Sequence, residues 1–169
     1  MTEFIDIVNN QNQVVGKATQ KEIYENKHPH RIVHVFVINP KTKEIYFQKR
    51  SEKKDFLPGY YCTSAGGHVQ SGETYLEAAE RELREEIGLS VPLKKIEELQ
   101  FVSDEHIRFI ELFLAFAEEG FEFVDGEVAS GEFLDFEIAD QLIERKVKIH
   151  PQLEVCFKLL YSNREKLLS

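Results

Sequence analysis

Cysteine is scarce in this chain: Cys62 and Cys156 are the only two, too few and too isolated for a disulfide framework or a zinc site, which fits a reducing compartment. Long hydrophobic runs are missing as well. No apolar stretch approaches the ~18 residues that a membrane span requires. The first residues, MTEFIDIVNNQ, show neither a basic start nor an apolar signal segment, so the chain is expected in the cytoplasm. Positive charge is in deficit, with 21 Lys and Arg against 30 Asp and Glu and a formal charge of −9. That balance argues against nonspecific binding to nucleic acid or to an anionic membrane. Repeats, low-complexity tracts and linkers are also absent. With 169 residues, 42% hydrophobic and 30% charged, residues 1–169 are expected to form one domain with a substantial core.

What is present reads as strands mixed with a few helices. FIDIVNNQNQVVGKAT predicts a hairpin around an Asn/Gln-rich turn, and residues 19–25 a short helix. RIVHVFVINPKTKEIYFQKR predicts a second hairpin, since residues 33–38 and 45–48 are rich in β-branched and aromatic side chains and Asn39-Pro40-Lys41 interrupts them. Residues 60–64 are expected as a strand feeding Gly66 and Gly67. Further strands are expected over 96–102, 109–117 and 132–134, with a turn at Glu118-Glu119-Gly120. Helices are expected over 137–145 and from about Pro151, whose fixed φ suits a first helical turn. The class is α/β or α+β.

The most informative stretch runs from Gly67 to Leu89, GHVQSGETYLEAAERELREEIGL. Residues 74–87 contain no Gly or Pro and predict a helix of about four turns. Ser71 or Thr74 can cap its start, and Gly88 is placed to end it. Leu76, Ala79, Leu83 and Ile87 share one side and can seat it on a core. Glu82, Glu85 and Glu86, at i, i+3 and i+4, project together from another face. Three such like charges each cost an isolated helix a few tenths of a kcal/mol. Either they form a solvated acidic face or they serve a ligand, for which the natural candidate is a hard cation, Mg²⁺ or Mn²⁺. Gly66 and Gly67 supply backbone freedom where a side chain would obstruct close approach to a metal or phosphate.

The same stretch satisfies every fixed position of the pattern G-x5-E-x7-R-E-U-x-E-E-x-G-U, with U aliphatic: Gly67, Glu73, Arg81, Glu82, Leu83, Glu85, Glu86, Gly88 and Leu89. It therefore resembles the Nudix box, and the chain resembles Nudix hydrolases, which use a carboxylate-bound divalent metal to cleave a diphosphate joined to another group. The resemblance implies the Nudix α/β/α sandwich, with a mixed β-sheet between helices and the box as a loop-helix-loop. It implies Glu82 and Glu86 as principal metal ligands, Glu85 as third ligand or water-orienting base, and the Gly67 carbonyl as a further ligand. Glu73 and Arg81 become an internal ion pair that fixes the loop against the helix. Family members are often homodimers.

Beyond the box, Glu111 in RFIELFLAF is an acid inside an apolar strand, where an unpaired carboxylate is costly. A salt bridge to a lysine and a role as catalytic base or metal ligand are both open. Glu127 in DGEVASGEFL competes for that role. Lys49 and Arg50 are candidate diphosphate contacts, with His68 beside them, although basic strand ends are also commonly solvated. Phe56, Tyr60 and Tyr61 either pack or stack on the substrate.

From about Asp6 to Leu89, including HRIVHVFVIN, QKRS and FLPGYYCTSAGGHV, the chain is similar to the Nudix branch related to isopentenyl diphosphate isomerase. By that likeness His30 and His68 match two metal histidines, and Glu111 matches a catalytic glutamate. The isomerase cysteine corresponds to Gly66, with Cys62 four residues too early, a second glutamate corresponds to Phe109, and only His28, poorly spaced, stands for the third histidine. Glycine cannot transfer a proton. The expectation is an isomerase-like scaffold that hydrolyses a small-molecule diphosphate such as a nucleoside-diphosphate derivative. Isomerisation, or binding of a diphosphate metabolite without turnover, are the alternatives.

Overall fold

The computed structural model describes all 169 residues, Met1 to Ser169. The first hairpin forms as expected from β1 (Phe4–Val8) and β2 (Val14–Thr19), and it makes a two-stranded sheet of its own. Thr19 and Glu22 close a capping box on α1 (Gln20–Glu25), and Ile5, Ala18 and Ile23 bury a small core beneath the pair. Arg31 ties this unit to the rest through Asn12, donating to its side-chain oxygen at 2.8 Å and its carbonyl at 2.6 Å.

The main sheet has seven strands and is mixed. At its centre β3 (His30–Ile38) runs parallel to β8 (His106–Phe116) over nine residue pairs, and antiparallel β7 (Lys94–Ser103) closes that side. Asp104 and Glu105, at φ 49° and 63°, turn β7 into β8, the conformation a two-residue hairpin requires. On the other side β3 and β4 (Ile45–Arg50) pair only at Val37–Tyr46 and Ile38–Ile45, then separate. The next segment fills the gap, β5 (Tyr61–Cys62) against β4 and β6 (Ala65–His68) against β3, while β9 (Val128–Leu134) covers the far edge of β4. The strand expected over 60–64 is thus shorter, and Gly66 and Gly67 lie within a strand of their own. Their extended backbone pairs with His34 and Val33, which a glycine permits as well as any residue.

Period two along β3 sorts its side chains to opposite faces. Val33, Val35 and Val37 pack beneath α2 (Tyr75–Ile87) with Ala78, Ala79, Leu83 and Ile87. Ile32, Phe36 and Ile38 face α3 (Phe136–Glu144) and α4 (Pro151–Leu168), with Phe47, Leu112 and Phe157. The result is the expected helix-sheet-helix sandwich. Full burial of Leu83 and Ile87 contributes about 1.5–3 kcal/mol each, which seats α2 firmly. The apolar stripe differs at one position: Leu76, in the first turn, is 45% exposed, and Ala78 is buried in its stead.

Candidate active site

The separation of β3 from β4 leaves a cleft of about 810 Å³ between the second half of α2 and the start of α4. Its acidic wall begins with a well-capped helix. Thr74 and Glu77 form a capping box, which selects Thr74 over Ser71 as the N-cap, and Gly88 ends the helix at φ 75°. A Cβ on Gly88 would press on Glu122, so glycine is needed there for space as well as conformation.

Arg81 organises the loop before α2. Its Nε and Nη2 donate to the two oxygens of Glu73 at 2.7 and 3.0 Å, and Nη2 also reaches the His68 carbonyl at 3.0 Å. Glu73 in turn accepts from the Gln70 amide at 2.9 Å, and although burial opposes it, these bonds hold its carboxyl below the usual range. The remaining amino group, Nη1, donates to Glu82 at 2.7 Å and Glu85 at 3.2 Å. One guanidinium thus locks the loop and aims two of the three box carboxylates.

Those three carboxylates do not behave alike. Glu86 is buried and accepts only from neutral donors, Gln48 Nε2 at 2.8 Å and the Gly66 amide at 2.9 Å. Burial, with Glu82 nearby, pushes its carboxyl up to about 8. Glu82 is pushed up to about 7, burial outweighing the Arg81 charge. Glu85 stands apart, with its side chain 52% exposed. No three His, Cys, Asp or Glu side chains converge on one point.

The donor set nevertheless fits a divalent hard cation. Two shielded carboxylates stand one helical turn apart, the Glu82 charge helps to raise Glu86, and a cation bound beside them would relieve that repulsion. A Cβ on Gly67 would overlap the Glu82 carboxylate, so the Gly67 backbone borders the same space. Mg²⁺ asks for only one or two protein carboxylates and completes its shell with water and substrate phosphate.

The basic wall holds Arg50 and Lys54. Arg50 donates from Nε and Nη2 to the Phe56 carbonyl at 3.1 and 2.9 Å, bracing the loop that follows β4. Phe56 borders the cleft and is 63% exposed, whereas Tyr61 packs against the α4-side core and donates to Glu132. Lys54 was not singled out from the sequence. It donates to Glu127 at 2.6 Å, and the Glu127 charge is felt at both Glu82 and Glu86.

Two candidates lie elsewhere. Lys49 is not part of the cleft wall, because period-two alternation along β4 sends it opposite to Gln48 and Arg50. Glu111 sits on the α2 side of β8 and takes a 2.7 Å ion pair from Lys95. Its lysine partner explains the acid in an apolar strand, and Glu127 occupies the position near the box carboxylates for which Glu111 was the rival.

The histidines form two groups. His68 borders the cleft, bonded to the Tyr24 hydroxyl at 2.8 Å, with its ring centroid 5.4 Å from that of His30; burial lowers His68 to about 4 and His30 to about 3. His34 lies deeper, between Thr63 Oγ1 and Gln152 Oε1 at 2.7 Å each. A Cβ on Gly66 would meet His34 Nδ1 at 2.6 Å and the Val33 carbonyl at 2.8 Å, so this position has no room for a cysteine. Cys62 is buried, its thiol pushed up to about 12.

The NUDIX domain family model matches residues 28–153. The chain belongs to the Nudix family. Over 89 residues it is 40% identical to the uncharacterized Nudix hydrolase YfcD of Escherichia coli K12, covering 53% of this chain and 49% of that protein. Over 108 residues it is 38% identical to YfcD of Salmonella typhi, covering 63% and 58%. The chain thus spans about half the length of these Nudix relatives. The crystal structure of DR0079 from Deinococcus radiodurans superposes with a TM-score of 0.79 at 25% identity, covering 92% of this chain and 98% of that one. The Escherichia coli dihydroneopterin triphosphate pyrophosphohydrolase shares the fold, with a TM-score of 0.62 at 18% identity over 79% of this chain and 95% of that one.

Proposed function

We propose that this Nudix protein is a Mg²⁺- or Mn²⁺-dependent hydrolase that cleaves the diphosphate linkage of a nucleoside-diphosphate derivative or related organic pyrophosphate. One observation carries the reading: Glu82, held by Arg81, and Glu86, without a cationic partner, line the same cleft as Arg50 and Lys54. A bound cation there would lower the pKa of a coordinated water and offset charge on the phosphate oxygens. Gln48 and the Gly66 amide hold Glu86 in place, and Arg81 holds Glu82. Arg50 and Lys54 bind the diphosphate, the first as a fork and the second as a point charge. Glu127 or the more exposed Glu85 accepts the proton of the attacking water. A small-molecule enzyme of the cytoplasm, acting without nucleic acid or membrane and paired as a homodimer, completes the reading.

Isomerisation is disfavoured by Gly66, where a proton-transferring side chain has no space. The test is a metal-supplemented screen of nucleoside diphosphate sugars, dinucleoside polyphosphates, nucleoside triphosphates and isoprenyl diphosphates. Release of phosphate or a monophosphate only with Mg²⁺ or Mn²⁺ supports hydrolysis. Deuterium uptake at the allylic carbons of an isoprenyl diphosphate without hydrolysis would instead establish isomerisation.

A further inference from the structure

Where α4 begins, His150 borders the cleft together with Phe56 and Arg50, and the diphosphate chemistry uses neither His150 nor Phe56. His150 is the N-cap of α4, its Nδ1 accepting from the Gln152 amide at 3.2 Å. An amide N–H can only donate, so Nδ1 carries no proton and the neutral ring keeps its hydrogen on Nε2. Burial, with His34, Arg50 and Arg108 nearby, lowers His150 to about 3, so the ring is uncharged at neutral pH.

That Nε2–H has no partner in the protein, and it is not sealed in. The only buried side-chain nitrogens or oxygens left without a partner are His30 Nε2 and Arg108 Nε, so His150 Nε2 is open to solvent. Beside it Phe56 is 63% exposed, its ring centroid 6.0 Å from that of His150 and its plane turned by 81°. The Phe56 carbonyl accepts from Arg50 Nε and Nη2 at 3.1 and 2.9 Å, which ties this corner to the residue assigned to the diphosphate.

The corner therefore offers a flat apolar surface and a neutral donor. A nucleobase has both matching features, a π-face that stacks and an edge of carbonyl oxygens and ring nitrogens that accept. An isoprenyl chain carries no acceptor for the imidazole, and a phosphate is already served by the charges of Arg50 and Lys54. We propose that Phe56 and His150 are specificity-determining residues for the group joined to the diphosphate, and that this group is a nucleoside whose base stacks on Phe56 and accepts from His150 Nε2–H. The proposal rests on the hydrolase reading for where the phosphates lie, but base binding itself is measurable without turnover.

Two measurements test it. In the full chain labelled with ¹⁵N-histidine, the His150 ring signals are identified by their loss in His150→Asn. At neutral pH they should show the Nε2–H form. They should shift saturably with at least one of AMP, GMP, CMP and UMP, and not with ribose 5-phosphate, which lacks the base. A proton on Nδ1, or signals that stay put with all four nucleotides or move equally with ribose 5-phosphate, overturns the proposal.

The second measurement is affinity in variants chosen to keep the fold: His150→Asn retains a capping acceptor but loses the Nε2–H, and Phe56→Ala removes an exposed ring. The best nucleotide should bind wild type at least about 10-fold tighter than ribose 5-phosphate. That advantage should vanish in Phe56→Ala and fall about 5-fold in His150→Asn, with ribose 5-phosphate binding unchanged in both. An advantage that survives either variant, or isopentenyl phosphate binding as tightly as the best nucleotide, overturns the proposal. If the nucleotides behave as expected and no member of the substrate panel is hydrolysed with Mg²⁺ or Mn²⁺, the hydrolase reading fails and the base subsite stands.

Discussion

Glu86 on α2 and Glu111 on β8 are both acids set among apolar neighbours, and the protein treats them oppositely. Glu111 has Lys95 at 2.7 Å, a cation supplied by the next strand. Glu86 has only the Gln48 amide and the Gly66 N–H, neutral donors that orient a carboxylate without cancelling its charge. An acid that serves the fold is neutralised from within, whereas one reserved for an external cation is oriented and left charged or protonated at the protein's expense. Position separates the acids differently: Glu82, Glu86 and Glu127 border the cleft and Glu111 does not, and of those three only Glu86 lacks a cationic partner, since Glu82 has Arg81 and Glu127 has Lys54.

The sharpest way to break the comparison is to neutralise each acid in turn. Glu86→Gln should lower metal-dependent kcat by roughly 100-fold or more, because it removes a ligand charge while keeping the side chain's size. Glu127→Gln should lower kcat by about 10- to 100-fold, the range for loss of a positioned acid or base. Glu111→Gln should leave kcat within about 2-fold and cost about 1 kcal/mol of stability through the orphaned Lys95. Steady-state kinetics on the best substrate of the panel and denaturant melts of the three variants decide it. If Glu111→Gln proves as damaging to kcat as Glu127→Gln, the assignment by cleft position is wrong.

The second test compares the two basic residues that end β4. Arg50→Ala should raise KM about 10-fold, since Arg50 borders the cleft and braces the Phe56 loop, while Lys49→Ala should leave KM within about 2-fold. Equal effects would mean that the diphosphate reaches around the strand edge.

Much of this was legible along the chain, for identifiable reasons. The α2 boundaries follow from Thr74, Glu77 and Gly88, whose chemistry is local, and the Glu73–Arg81 pair follows from the complete box. The first hairpin, α1, α3 and α4 were also placed to within about a residue, because periodicity and caps act over short range. Contacts between distant segments were harder to read. The parallel pairing of β3 with β8 joins His30 to Arg108, and nothing in either strand alone specifies that register. Glu111 looked anomalous because its partner sits sixteen residues earlier on another strand. Lys49 is different: alternation from the buried Phe47 and Gln48 already separates it from Arg50, and that signal was available. Lys54, His34 and Gln48 carried no comparable mark, since each gains its meaning only from what faces it across the cleft.

The smallest effect expected concerns pH and bears on the same contrast. Burial raises Glu86 to about 8 and Glu82 to about 7, above the ordinary carboxyl value of 4.5. Between about pH 4.5 and 8 the folded chain therefore binds more protons at these two groups than the unfolded chain does, so their contribution to stability falls as pH rises through that window. The buried histidines His30, His34, His68 and His150, held below 6.5 in the fold, oppose this up to about pH 6.5, so the carboxyls are read between about pH 6.5 and 8, where without divalent metal Tm should drop by a few degrees. Glu86→Gln should remove a large share of that slope, whereas Glu111→Gln should leave it unchanged. Millimolar Mg²⁺ should restore Tm at pH 8 in wild type and much less in Glu86→Gln, because a cation that binds only the folded state stabilises it by mass action. Thermal melts at three pH values with EDTA or Mg²⁺ measure all of this, and a wild-type slope insensitive to both Mg²⁺ and Glu86→Gln would show that Glu86 is as well neutralised within the fold as Glu111.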